Sequence, residues 1–280
     1  MSKKILIIKT GYSEIFTETK DSKICSLGDV LRTSFILNFY KEEEVDWLTS
    51  ETAIPLINMN KVHNVYSEIQ KCELSKYDLI INLEKNNENS ELIKTRNTLG
   101  FIYEGKILMV RTYIKTMTFV EFLEDVNHEE STFQEKLCKL LGHSWNLEEY
   151  SLNAPRNNTS VKVGFNWKAG SKWPTKQLPQ LWWNDLEVKL DLKDKVSWQE
   201  GFNNLSEYIE WIDSCETLVT LDSLGLHIAL ALKKKVVVLF GPTNHKHVEL
   251  YNLGSKVCYN METNKEEIMD NVVKLLRYKK

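Results

Sequence analysis

Short unbroken apolar runs alternate with longer amphipathic stretches along this chain, and that alternation admits few architectures. A brief apolar run bounded by polar loops suits a strand covered on both faces, as a parallel sheet flanked by helices requires. In the first half Ile5–Ile8, Val45–Thr49, Val62–Tyr66, Leu79–Leu83 and Ile107–Val110 have this character. Helical stretches at Val30–Tyr40 and Ser90–Thr98 separate them, and a helix at Thr132–Leu141 closes the set. A second set follows, with strands at Val161–Asn166, Val196–Trp198, Thr217–Leu221 and Val236–Phe240, and helices near Leu205–Ser214, Ser223–Lys233 and Lys265–Leu276. Between Gly142 and Ser160 the sequence turns polar and loses its apolar period. The pattern therefore predicts an α/β chain of two domains, 1–150 and 151–280, with the linker in that polar stretch.

Charge narrows the functions. The 280 residues carry 36 basic and 39 acidic side chains, a net of −3, which supplies no global positive field for a nucleic-acid backbone. The five cysteines, Cys25, Cys72, Cys138, Cys215 and Cys258, are far apart and form no C-x-x-C pair, so neither a zinc cluster nor a disulfide framework is signalled and a reducing cytoplasm fits. Four apolar residues before Lys9 are too few for a signal peptide, and no run reaches the length of a membrane span, which leaves only peripheral membrane contact.

Four segments could carry chemistry. Ser26–Thr33 opens the first long helix on the strand-to-helix side of the first sheet, where Gly28 admits close approach and Asp29 can serve as a general base or cap the helix. Lys168–Lys176 follows the strand Val161–Asn166, and its Lys168 and Lys172 are mobile point charges suited to phosphate, or an ordinary basic loop. Thr220–His227 passes from a strand straight into a helix, whose free N–H groups would form an anion site kept accessible by Ser223 and Gly225. Asp222 precedes it, and His227 can reach a phosphate or pack. Phe240–Asn244 is a Gly-Pro reversal, and His245 with His247 lacks a third ligand, so no metal is assigned.

Taken in order, these segments resemble glycosyltransferase family 9, the heptosyltransferase family. The similarity rests on Lys4–Lys9, Leu27–Thr33, Val45–Thr49, Gly170–Pro174, Leu218–Leu232 and Val236–Thr243, and it spans nearly the whole chain. The resemblance implies a GT-B fold, two Rossmann-like domains facing across a cleft, with a terminal helix returning toward the first domain. It implies an inverting transfer of heptose from ADP-heptose to an acceptor hydroxyl, without a metal or other cofactor. Asp29 matches the base, Lys172 the donor-diphosphate lysine with Lys168 in support, and Ser223, Leu224 and Gly225 the diphosphate cradle. Asp222 and His227 match the family's D-[TS]-x-x-x-H motif. The acceptor stays open among a lipopolysaccharide core sugar, another surface glycan, a protein and a small molecule.

Two departures bear on detail. A long loop at residues 10–27 replaces a short one and could shape an acceptor pocket, act as a lid or be a passive insertion; its Glu14 and Glu18 are alternative bases. The stretch from Pro179 to Asn204 is compressed and lacks the family's ribose-side Gly-rich turn, leaving Trp198, Gln199 or Glu200 as substitutes. Within it Leu178, Leu181, Trp182, Trp183 and Leu186 read as one buried helix face. Three rivals remain: a GT-B transferase using another nucleotide sugar, a nucleotide-sugar epimerase, and a non-catalytic nucleotide-sugar-binding subunit.

Overall fold

The structure, a computed structural model, describes residues 2–12, 24–86, 89–94, 96–126, 131–153, 159–191, 196–260 and 262–278. The chain divides into two compact units, Met1–Asn153 and Ala154–Lys280. The interior of the long loop, residues 13–23 with Glu14 and Glu18, and residues 154–158 of the expected linker lie outside the described residues.

In the first unit the elements run β1 (Lys4–Ile8), α1 (Leu27–Thr33), β2 (Glu44–Leu48), β3 (Asn64–Tyr66), β4 (Leu79–Asn82), α2 (Ser90–Ile93), β5 (Thr98–Glu104), β6 (Ile107–Arg111), β7 (Thr116–Thr118), α3 (Phe119–Val126) and α4 (Phe133–Leu141). The sheet order is β3-β2-β1-β4-β5-β6-β7. β1 lies between β2 and β4, parallel to both, and its Ile5, Leu6, Ile7 and Ile8 are all buried, as the unbroken apolar run requires.

Three expectations are corrected. The helix expected at Ser90–Thr98 stops at Ile93, and Thr98 already pairs with Ile80 at the start of β5. β6 and β7 then continue the sheet antiparallel, so the first sheet is mixed. The helix expected over Val30–Tyr40 ends at Thr33, whose hydroxyl donates to the Asp29 carbonyl at 2.7 Å, and tightens into a 3₁₀ segment at Ser34–Asn38. The polar stretch expected to hold the linker contains the division between the two units, after Asn153, and its first part packs on the first unit as far as Ser151. His143 stacks on Phe39 with ring centroids 4.4 Å apart, and the Ser151 amide donates to Ser34 Oγ at 2.8 Å. α4 is delimited locally: Thr132 and Glu135 form a reciprocal capping box and Gly142 ends the helix at φ 76°.

The second unit contains β8 (Val161–Asn166), α5 (Gln180–Leu190), β9 (Val196–Trp198), α6 (Leu205–Ser214), β10 (Cys215–Leu221), α7 (Leu224–Ala231), β11 (Lys235–Phe240), β12 (Gly254–Cys258) and α8 (Lys265–Tyr278). Its described strands are all parallel, in the order β12-β11-β10-β8-β9. Trp182, Trp183, Leu186 and Leu190 of α5 join Val163, Phe165, Val219 and Leu239 of the sheet and Ile268, Met269, Val272 and Val273 of α8 in one core. Leu181 departs from the expected buried face: it is 68% exposed, on the outer side of α5. No helix of the described residues is long and apolar enough to cross a membrane.

Candidate active site

Each sheet has one point where successive connections leave in opposite directions, and open α/β sheets take ligands at the carboxyl ends of the strands there. In the first sheet this point lies between β1 and β4. Lys9 follows β1 and Glu84 follows β4, and they form an ion pair of 3.4 Å with side chains 4% and 1% exposed. Glu84 Oε1 also accepts the amides of Thr10 at 2.7 Å and Gly11 at 2.9 Å, so a buried carboxylate fixes the first turn of the loop leading to α1. The Gly11 carbonyl in turn accepts the Ser26 amide at 2.8 Å. Cys25 Sγ lies 3.1 Å from Ser50 Oγ, and burial pushes its thiol pKa up, which disfavours a thiolate nucleophile.

Asp29 sits in the first turn of α1, one turn above this network, and is half-buried. Arg32 Nη2 holds its Oδ1 at 2.7 Å, and the guanidinium carbon lies 3.9 Å from the centre of the Phe133 ring. The N-cap of α1 is Ser26, so Asp29 does not occupy the cap position.

In the second sheet the switch point lies between β8 and β10. Asn166 ends β8, and Asp222 and Ser223 follow β10 directly into α7. Asp222 is buried and pairs with Lys176: Nζ reaches Oδ2 at 2.7 Å and the Asp222 carbonyl at 3.0 Å. Burial alone would raise this carboxyl's pKa. The Lys176 ammonium, the His227 charge and hydrogen bonds from Lys176 and Thr243 outweigh it and hold the group below its ordinary value. His227 is itself 5% exposed, in the first turn of α7.

The expected lysines sit differently. Lys172 is 7% exposed, whereas Lys168 places its ammonium 4.4 Å from the centre of the Trp167 ring. Lys176, four residues beyond Lys172, is the lysine bonded to Asp222; its charge was visible in the sequence, but its partner lies 46 residues away. Gly225 is buried against the residues beneath α7, not held open for a ligand: a Cβ there would lie 2.4 Å from Tyr208 Oη and 2.5 Å from Asn166 Nδ2. The compressed stretch has structural roles. Gln199 Oε1 accepts the Lys168 amide at 2.9 Å, and Trp198 packs edge-on against Phe165 and Trp167. Sequence reasoning also passed over Glu84, Asn166 and Tyr208; a polar residue closing an apolar strand was the available signal for the first two.

Two Rossmann-like units of this kind define the GT-B class, and solved structures agree. E. coli heptosyltransferase WaaC with ADP-2-deoxy-2-fluoro heptose superposes with a TM-score of 0.56 at 17% identity, over 90% of this chain and 92% of that one. E. coli ADP-heptose lps heptosyltransferase II gives 0.63 at 14% identity over 98% of both chains. A glycosyl transferase family 9 structure from Veillonella parvula DSM 2008 gives 0.63 at 14% identity over 98% and 97%. Residues 201–276, from just before α6 into α8, match the family model "Glycosyltransferase family 9 (heptosyltransferase)". No curated protein matches the chain by sequence. The resemblance read from the motifs thus holds for the fold and for this span, and together they support a glycosyltransferase.

Proposed function

We propose that this chain is an inverting glycosyltransferase that moves a heptose from ADP-heptose to an acceptor hydroxyl in the cytoplasm, without a metal. The observation that carries the reading is the switch point of the second sheet: β10, Asp222 and the uncapped start of α7 fall within the family-matched span, and Lys176 reaches Asp222 from outside it. The donor diphosphate lies at the N–H groups of Ser223, Leu224 and Gly225, with Lys168, Lys172 and Lys176 supplying positive charge and Asp222 and His227 setting the geometry around it.

Transfer then needs one proton acceptor. Asp29 takes the proton of the acceptor hydroxyl as its oxygen attacks the anomeric carbon, and the bond to the diphosphate breaks on the opposite face. The electron pair leaves on the nucleoside diphosphate, and the lysines and the α7 start meet that charge. Lipopolysaccharide core sugars are one acceptor class that fits this chemistry.

The test is calorimetric titration with ADP, UDP and ADP-heptose, first in EDTA and then with Mg²⁺. Selective, metal-independent binding of ADP and ADP-heptose is the expected result. Tighter UDP binding would replace the donor, and no binding of any of the three would overturn the reading in favour of a different role for the fold.

A further inference from the structure

Counting donors and acceptors around Asn166 fixes where each proton points. The side chain is fully buried, so each of its polar atoms needs a partner. Burial raises the Tyr208 phenol pKa, keeping it protonated, and its O–H donates to Asn166 Oδ1 at 2.5 Å. The amide nitrogen has two hydrogens. One goes to Thr220 Oγ1 at 2.7 Å and the other to Ser223 Oγ at 2.9 Å. Thr220 sends its own hydroxyl hydrogen to the Leu221 carbonyl at 2.8 Å. Ser223 therefore receives a hydrogen bond from beneath and retains its own hydrogen for another acceptor.

An N-cap serine ordinarily turns its oxygen to the second or third N–H of its helix. Ser223 occupies that position in α7 and makes no such bond; its oxygen is turned instead to Asn166 Nδ2. Gly225 belongs to the same device, since any side chain at that position would overlap both Tyr208 and Asn166.

We propose that Tyr208 and Asn166 are positioning residues that aim the Ser223 hydroxyl as a hydrogen-bond donor at the phosphate oxygens of the bound donor. The inference rests on the donor site proposed above. Three elements meet to build it: Asn166 ends β8, Tyr208 projects from α6, and Ser223 joins β10 to α7.

The test uses the full chain, with inorganic pyrophosphate and ADP as probes. Binding is read by calorimetry and by the ¹⁵N amide shift of Gly225, and melting curves confirm that each variant is folded. Ser223→Ala weakens both probes about tenfold, as loss of a hydrogen bond to a charged group predicts. Asn166→Asp replaces a donor with an acceptor, draws the Ser223 proton inward and has a similar effect. In the Ser223→Ala background Asn166→Asp changes affinity by less than about twofold, because its target is gone. Tyr208→Phe, a milder change, shows the same non-additivity and decides the matter if Asn166→Asp does not fold. Ser223→Thr, which keeps the hydroxyl, stays within about twofold of wild type.

If the Asn166 and Tyr208 variants weaken binding equally with and without the Ser223 hydroxyl, or not at all, the positioning role is overturned even where ADP binds well. If pyrophosphate shows the non-additivity but ADP binds no more tightly than pyrophosphate, the role stands and the nucleotide-sugar reading falls. Failure of both probes to bind the wild type overturns both.

Discussion

The two switch points are built from opposite materials. Beneath the first, between β1 and β4, lies a full ion pair, Lys9–Glu84, with both side chains nearly excluded from water. Beneath the second, between β8 and β10, lie neutral groups, Tyr208, Asn166 and Thr220, and the charged pair Lys176–Asp222 sits nearer the rim, 20% and 10% exposed. A buried charge pair is stiff: its oxygens and hydrogens are committed, and here they hold the backbone of Thr10 and Gly11. A neutral chain of hydrogen bonds has direction, and its last member can hand a proton outward. The first arrangement suits a loop that must keep its place, and the second suits a surface that must present donors to an anion.

The largest effect that separates the two sites is on turnover. Asp29→Asn lowers turnover by about 10²–10⁴-fold while leaving ADP affinity within about twofold of wild type, measured by single-turnover transfer and calorimetry on the same samples. Near-normal turnover would mean that Asp29 is not the base and that the first site only supports the loop. Next comes the ion pair itself. Glu84→Gln leaves the Lys9 ammonium facing a neutral amide and destabilises the chain by about 3 kcal/mol in denaturant unfolding. A cost under about 1 kcal/mol would remove the contrast in stiffness drawn above.

The rim pair of the second site gives a pH signature. Because the Asp222 carboxyl titrates below its ordinary value in the folded chain, its contribution to stability is complete above the unfolded value, near pH 4, and is lost as pH falls through the folded one. Lys176→Met removes the main favourable charge, so the acid-side fall in stability becomes shallower. The effect is about 1 kcal/mol, read as the difference in urea midpoint between pH 7 and pH 3. An unchanged acid slope would mean that the hydrogen bond from Thr243 and the charge of His227 suffice. Smallest of all is Cys25→Ser beside the first site. The hydroxyl reproduces the contacts of Cys25 to Ser50 and Thr10, and the change stays under about 1 kcal/mol.

The strands that frame both sites were readable from their apolar content: β1 and β11 are unbroken apolar runs after an initial lysine, as a sheet covered on both sides accommodates, and β10 ends in the buried run Leu218–Leu221, whereas β8 sets Val161, Val163 and Phe165 against Lys162, Gly164 and Asn166. β5 and β7 were missed for the converse reason. Thr98–Glu104 alternates buried and half-exposed positions around Gly100, and Thr116–Thr118 is too short to show a period. Asp222, Ser223 and Gly225 were legible as a local string joining a strand to a helix. Lys176 and Tyr208 were not, because what gives them meaning is a partner 46 or 42 residues away, brought near by a parallel crossover that no local pattern records. Gly225 was singled out for the wrong reason: its missing side chain makes room for protein atoms below it.

One feature of the sheets reaches beyond the single molecule. Among the described residues, three of the four outer strands, β3, β7 and β9, are only three residues long. Each leaves little unpaired backbone for a neighbouring chain to dock against, and β7 is preceded by the exposed Lys115. At high concentration these three margins offer little template for strand-by-strand growth, and the five-residue β12 is the longer margin that remains.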